Sequence, residues 1–288
     1  MTRISHLLAL VVFTVCPALL HAAPGDLDLS FGGAGIVITD MGTNYDNGSS
    51  VIQQTDGQLV EAGTSDGNFA LVRYKTNGSL DLSFGGGTGK VITDMGSSYD
   101  YGSSVIQQVD GKLVVAGTSN NDFALARYNA DGSLDTSFDG DGKVTTAIGA
   151  GTDSGVSVIQ QTDGKLVVAG YSFTGSNDDF ALVRYNIDGS LDTSFDGDGK
   201  VTTDISGDYD RASSVIQQAD GKLVAAGRSV NGGNEDFALV RYNADGSLDA
   251  SFDGDGKVTT AIGGGDDSAL GDSTGWRQAG GGGVWSYW

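Results

Sequence analysis

The residues of this sequence best equipped for chemistry are aspartates in pairs: Asp139 with Asp141, Asp196 with Asp198, and Asp253 with Asp255, each two apart in a glycine-bearing loop. Alternate carboxylates on a loop can point at one centre, and calcium takes several oxygen ligands in that way. The competing reading is a tight turn carrying solvated charge. It is the simpler one, because the glutamate that closes an EF-hand loop is missing and the first two loops of this type carry Gly32-Gly33 and Gly85-Gly86 instead.

Other chemistries are narrowed by what is absent. The sequence begins with a basic residue, Arg3, an apolar stretch from Leu7 to Leu20, and small residues at Ala22 and Ala23. That three-part pattern predicts a secretory signal peptide over residues 1–22, since the apolar run is shorter than the roughly 20 residues of a membrane span. Cys16, His6 and His21 are the only cysteine and histidines and all fall inside it. The processed chain is then expected to lack disulfides, thiol nucleophiles, histidine bases and Cys/His zinc sites. It would be secreted, with no membrane insertion after cleavage.

Acidic residues number 37 against 16 basic ones, a formal net charge of −21. Nucleic acid and anionic membrane need a cationic surface and are poor partners for such a chain. The run GGGTGKV at residues 85–91 fails as a phosphate loop: Phe84 and Val91 stand where glycine and a hydroxyl residue are needed, and no helical pattern follows. No cofactor is expected beyond calcium at the aspartate pairs.

What positions these residues is a repeat. Phe31, Phe84, Phe138, Phe195 and Phe252 each sit in an SF-plus-glycine string, at spacings of 53, 54, 57 and 57. The string SVIQQ recurs with its valine at Val51, Val105, Val158 and Val215. After each SVIQQ comes an Asp-Gly, then KLVVAG or a variant, which is a hairpin signal. FALVRY follows, in which Phe123, Leu125 and Arg127 alternate with Ala124, Ala126 and Tyr128, the period of a strand. A second turn and SLDxSF lead to GKVTT, rich in β-branched residues.

Four short strands in about 50 residues, with no helical stretch, predict a propeller blade. The fold class expected is all-β: tandem four-stranded antiparallel repeats forming a β-propeller of four full blades and a partial fifth, open or truncated. A β-solenoid is the alternative. Residues 23–268 make the repeat domain, with a surplus GIVIT strand at residues 35–39. The run DTSFDGDGK at residues 135–143, the QxDGKLVVAG hairpin and RYNxDGSLD together resemble the delta-60 repeat, a bacterial β-propeller-like family of unknown function. That resemblance implies a propeller and an exported protein, and supplies no activity or binding residues.

The tail from residue 269 to 288 fits no repeat and contains all three tryptophans. With suitable synonymous codons, a one-base shift turns residues 272–288 into IQQAGGKLVVAGYGAI, close to the missing hairpin. The tail is therefore read as a frameshifted fifth core.

Arg73, Arg127, Arg184 and Arg241 recur alongside Asp81, Asp135, Asp192 and Asp249, and an Arg–carboxylate fork bracing each blade accounts for both. Glu61, alone among the repeats in that strand position, is read as marking an edge. Features that differ between units carry the functional expectation. Tyr45, Tyr99 and Tyr209 precede SVIQQ and would serve as platforms, while the loops at residues 171–179 and 228–236, with Phe173 and Asn231, are longer than their counterparts. Insertions of one loop type gather on one face, where repeat proteins bind. The expected function is a non-catalytic exported module contacting protein or polysaccharide. The alternatives are a carboxylate-based glycan hydrolase or lyase, which needs two unique acids, and a truncated product without independent function.

Overall fold

The computed structural model describes residues 25–267; the expected signal segment and the aberrant tail lie outside them. The chain divides into two compact units, one ending at Ile38 and the other beginning at Thr39. The described part of the first is a turn in which Asp28 Oδ1 accepts hydrogen bonds from Ser30 N and Oγ at 2.9 and 2.6 Å. Residues 35–39, expected as a surplus strand, form none. A strand needs a ladder partner, and the FALVRY-type strand that pairs GKVTT elsewhere has no counterpart before it among the described residues.

The second unit holds four antiparallel sheets of four strands. The first comprises β1 (Asp46–Gln53), β2 (Leu59–Ser65), β3 (Asn68–Tyr74) and β4 (Lys90–Thr93). The second comprises β5 (Asp100–Gln107), β6 (Leu113–Ser119), β7 (Asp122–Tyr128) and β8 (Lys143–Thr146). The third comprises β9 (Asp153–Gln160), β10 (Leu166–Phe173), β11 (Asp178–Tyr185) and β12 (Lys200–Thr203). In the fourth are β13 (Asp210–Gln217), β14 (Leu223–Asn231), β15 (Asn234–Tyr242) and β16 (Lys257–Thr260). Strands lie in chain order across each sheet, the meander of a propeller blade. Among the described residues the blades are not closed into a ring. Among the described residues no helix is long and apolar enough to cross a membrane.

The first strand of each blade begins four residues before SVIQQ, because polar and glycine residues such as those of 46–49 join the ladder through a β-bulge. Glycine opposite each bulge is obligatory: a Cβ on Gly117 would strike the carbonyl of Tyr101, and one on Gly170 that of Ser154. The Asp-Gly turns work differently from a two-residue hairpin. Gly111 N donates to Gln108 O at 2.9 Å and Gln108 N to Lys112 O at 2.8 Å, so the Asp-Gly closes a β-turn within a five-residue loop. Gly111 sits at φ 86, a conformation open to glycine at little cost.

Alternation along the third strand sorts residues between neighbours as the pattern requires. Phe123 and Leu125 pack with Val158, Val168 and Val183 of the following blade, whereas Ala124, Ala126 and Tyr128 pack with Val60, Phe69 and Leu71 of the preceding one. A blade thus has a leading and a trailing face, each inserted into a different core. Among the described residues the end blades lack one neighbour each. Val51 is 64 % exposed while Val105, Val158 and Val215 are buried, and Leu239 is 37 % exposed while Leu182 is fully buried. Glu61 belongs to this asymmetry. It stands on an inner strand, β2, so it does not mark a sheet edge; it marks the face of the first blade that no earlier sheet covers among the described residues.

Candidate functional site

Two ends of the blade stack carry different chemistry. At one end each blade is clasped to the next. Arg127 Nε donates to Asp135 Oδ2 at 2.7 Å, its NH2 to Ser137 Oγ at 3.1 Å, and its NH1 to the carbonyl of Ile187 in the following blade. The guanidinium lies 4.6 Å from the centroid of the Phe138 ring, a cation–π distance. Arg73 and Arg184 repeat the arrangement with Ala130 and Ala244 as carbonyl partners. The expected fork is present, but its second prong goes to serine and to the next blade instead of the same carboxylate. Arg241 keeps Asp249, Ser251 and Phe252, and no following turn is present among the described residues to supply the carbonyl.

Lys112, Lys165 and Lys222 add a second cation to Asp135, Asp192 and Asp249 at 3.0, 2.8 and 2.9 Å. Burial opposes ionisation of Asp135 and Asp192, yet serine and lysine hydrogen bonds and the arginine charge more than offset it and hold both carboxyls well below the usual range. Asp249 is held low chiefly by Lys222 and Ser251. These acids are repeated struts.

The paired aspartates lie at this same clasped end. Asp139, Asp196 and Asp253 adopt left-handed backbone at φ 48, 51 and 50. The amides of Asp139 and Asp196 donate to Asp188 O and Asp245 O of the next blade, each at 2.7 Å. Asp141, Asp198 and Asp255 use Oδ1 to accept the amides of Lys143, Lys200 and Lys257 at 2.8, 2.9 and 2.9 Å. In the first two pairs one member thus serves a blade junction through its amide, and in all three the other caps its own strand.

At the opposite end lie the hairpins joining second and third strands. Here the carbonyls of Tyr45 and Tyr99 accept the amides of Asp66 and Asn120, and that of Tyr209 accepts Val230 N. Each aromatic is thereby pinned beside the hairpin of its own blade. Tyr45, Tyr99 and Tyr209 are 56, 68 and 47 % exposed, so all three rings face solvent at one end. Tyr209 differs from the others in lying 5.9 Å from the Arg211 guanidinium, which also covers Tyr171 at 4.6 Å. Phe173 and Asn231 share this end; the first is half-buried and the second exposed at a hairpin tip. The longer loops of the third and fourth blades turn out to be mostly strand, since β10 and β14 extend to Phe173 and Asn231.

The same end contains a group that reading along single units misses. Asp179, Asp204 and Asp210 bring carboxylate oxygens within 4.8 Å of one another, the one such acidic, cysteine or histidine trio among the described residues. Asp179 comes from β11, Asp204 from the segment after β12, and Asp210 from the start of β13. Comparing these positions between units would have exposed it, because the trio is assembled from two adjacent blades.

The chain matches the DUF5122 β-propeller, a domain of unknown function, four times, at residues 54–84, 108–138, 161–195 and 218–252. No curated protein matches it in sequence. Solved structures with a similar backbone path include a catalytically inactive virginiamycin B lyase from Staphylococcus aureus with quinupristin, at 13 % identity and TM-score 0.45, covering 70 % of this chain and 54 % of that one. A periplasmic gluconolactonase of Pseudomonas aeruginosa follows at 15 % identity and TM-score 0.37, covering 64 % and 49 %. A polysaccharide lyase, an ulvan lyase bound to an oligosaccharide, gives 10 % identity and TM-score 0.42 over 77 % and 59 %. The chain spans about half the length of these structures, and no substrate is carried over from them.

Proposed function

The chain carries four DUF5122 repeats, and from that premise we propose that it is an exported, non-catalytic module that holds a protein or polysaccharide along the hairpin end of its blades. The observation that carries the reading is the recurrence of an exposed tyrosine at one position of that end, in the first, second and fourth blades. Aromatic rings spaced by a repeat offer stacking surfaces to a polymer that itself repeats. The acids held at depressed pKa support a non-catalytic role, because Asp135, Asp192 and Asp249 occupy one repeated, arginine-paired position, whereas catalysis by carboxylates needs a distinct acid and base. The net charge of −21 favours neutral or cationic polymers.

The test is a panel of immobilised polysaccharides and basic proteins probed with the purified chain and with a Tyr45→Ala, Tyr99→Ala, Tyr209→Ala triple variant. Binding that falls at least tenfold in the folded variant is expected. Binding that survives the triple substitution, or hydrolysis of a panel member, overturns the reading.

A further inference from the structure

We infer that Asp179, Asp204 and Asp210 bind one calcium ion at the junction of the third and fourth blades. The corresponding residues at the other junctions are Asn68, Asp94 and Asp100; Asp122, Ala147 and Asp153; and Asp236, Ala261 and Asp267. Only the third junction is acidic at all three positions. Whereas Asp135, Asp192 and Asp249 recur as struts, this is a site that the repeat does not account for.

The geometry points to a cation. Asp179 is 6 % exposed; its Oδ2 accepts Thr174 Oγ1 at 2.8 Å, while Oδ1 is buried without a hydrogen-bond partner among the described residues. A buried carboxylate oxygen lacking a donor is costly, and an ion is one of the few ways to satisfy it. The arginine at this junction does not do so, because Arg211 gives Nε and NH2 to Asp178 Oδ2 at 2.7 and 2.6 Å. Burial, with the charges of Asp204, Asp210 and Asp178, pushes the Asp179 carboxyl above its usual range despite Thr174; burial does the same to Asp210.

The trio is held in place from behind. Asp210 Oδ2 accepts Ile205 N at 2.7 Å and Ser206 N at 3.3 Å, and Asp204 Oδ1 accepts Gly207 N at 2.6 Å. Asp204 is solvent-exposed, so water can complete a shell of the roughly six to eight oxygens that calcium takes. Carboxylates drawn together from three separate chain positions, with water completing the shell, suit the flexible coordination of calcium, whereas magnesium demands near-ideal octahedral geometry.

Calorimetric titration of the chelator-stripped full chain with CaCl2 and with MgCl2 tests this, beside Asp204→Ala and Asp179→Asn. Each variant installs the residue that another junction already carries, Ala147 or Asn68, so the fold is expected to persist, as circular dichroism will check. One calcium per chain is expected, with a Kd of about 10⁻⁴ M, in the range of extracellular calcium modules, and at least tenfold weaker magnesium binding. Both variants should lose at least tenfold in affinity and lose the calcium-induced rise in Tm. Terbium luminescence excited through tyrosine, and quenched by added calcium, gives a second readout on the unaltered chain. No saturable binding and no change in Tm up to about 10 mM calcium, far above that range, would overturn the inference. So would binding that both variants retain but that Asp139→Asn with Asp141→Asn abolishes.

Discussion

The hydroxyl of Tyr185 donates to Oγ1 of Thr146, 39 positions earlier and on the neighbouring blade, at 2.9 Å in a fully buried setting. Tyr128 with Thr93 and Tyr242 with Thr203 make the same bond at 2.9 Å, and Tyr74 reaches Thr39 at 2.8 Å. The closing strand of one blade is thereby fastened to the third strand of the next. Burial drives the pKa of these phenols upward, with the threonine bond opposing it in part, so they remain neutral donors at any ordinary pH. Tyr185→Phe leaves the Thr146 hydroxyl without its donor and is expected to cost about 1 kcal/mol, read from the urea midpoint.

The clasp arginines differ in a way that a matched pair of substitutions measures. Arg127→Lys removes the planar group that serves Asp135, Ser137, the Ile187 carbonyl and the Phe138 ring at once, and is expected to cost about 3 kcal/mol, as for a broken buried ion pair. Arg241→Lys removes fewer contacts at a more exposed position and should cost less than half as much. Equal losses in denaturant midpoint would show that the inter-blade carbonyl contributes nothing.

Acid should unfold the protein through the strut carboxylates. Asp135, Asp192 and Asp249 are harder to protonate in the folded chain than in the unfolded one. Each therefore contributes stability above the ordinary aspartate range, near 4, and loses it progressively as pH falls through and below that range. Asp179 and Asp210, shifted the other way, act in the opposite sense and gain from mild acid. A metal-free melting series from pH 7 downward is expected to show a shallow region, then a steep fall below about pH 4. Asp179→Asn should raise the Tm at pH 7 in chelator.

The two faces of a blade make a prediction about position. Leu182→Lys places a charge in the sealed core between the third and fourth blades and is expected to abolish cooperative unfolding. Leu239→Lys puts the same residue at the same point of the repeat on the uncovered face of the fourth blade, and should shift stability by less than about 0.5 kcal/mol. Sedimentation at rising concentration should show weaker self-association for Leu239→Lys than for the unaltered chain.

Much of this architecture was legible because its signals are local and repeated. Alternation in FALVRY identified the two faces, and the co-occurrence of Arg127 with Asp135 identified the strut. The four residues preceding SVIQQ did not read as strand, since Gly102, Ser103 and their equivalents carry no apolar period and join the ladder only through a bulge. GIVIT read as a strand from its composition, and composition cannot supply the partner that a strand requires. Glu61 looked like an edge residue because the text of one unit does not reveal which blade face lacks a neighbour. The trio of Asp179, Asp204 and Asp210 is invisible within any single unit, being a coincidence of three variable positions across a junction.

The last described residue, Asp267, repeats the hook that opens each blade: its Oδ2 accepts Ile262 N at 2.7 Å, as Asp210 does from Ile205. The joints of the stack are therefore made from the same kinds of contact in each period, so unequal crossing-over between repeated stretches of a gene can delete or duplicate a whole period without creating a joint of a new kind. Heredity can then adjust the length of such a molecule as a count, with smaller insertions accommodated in hairpins such as those of residues 171–179 and 228–236.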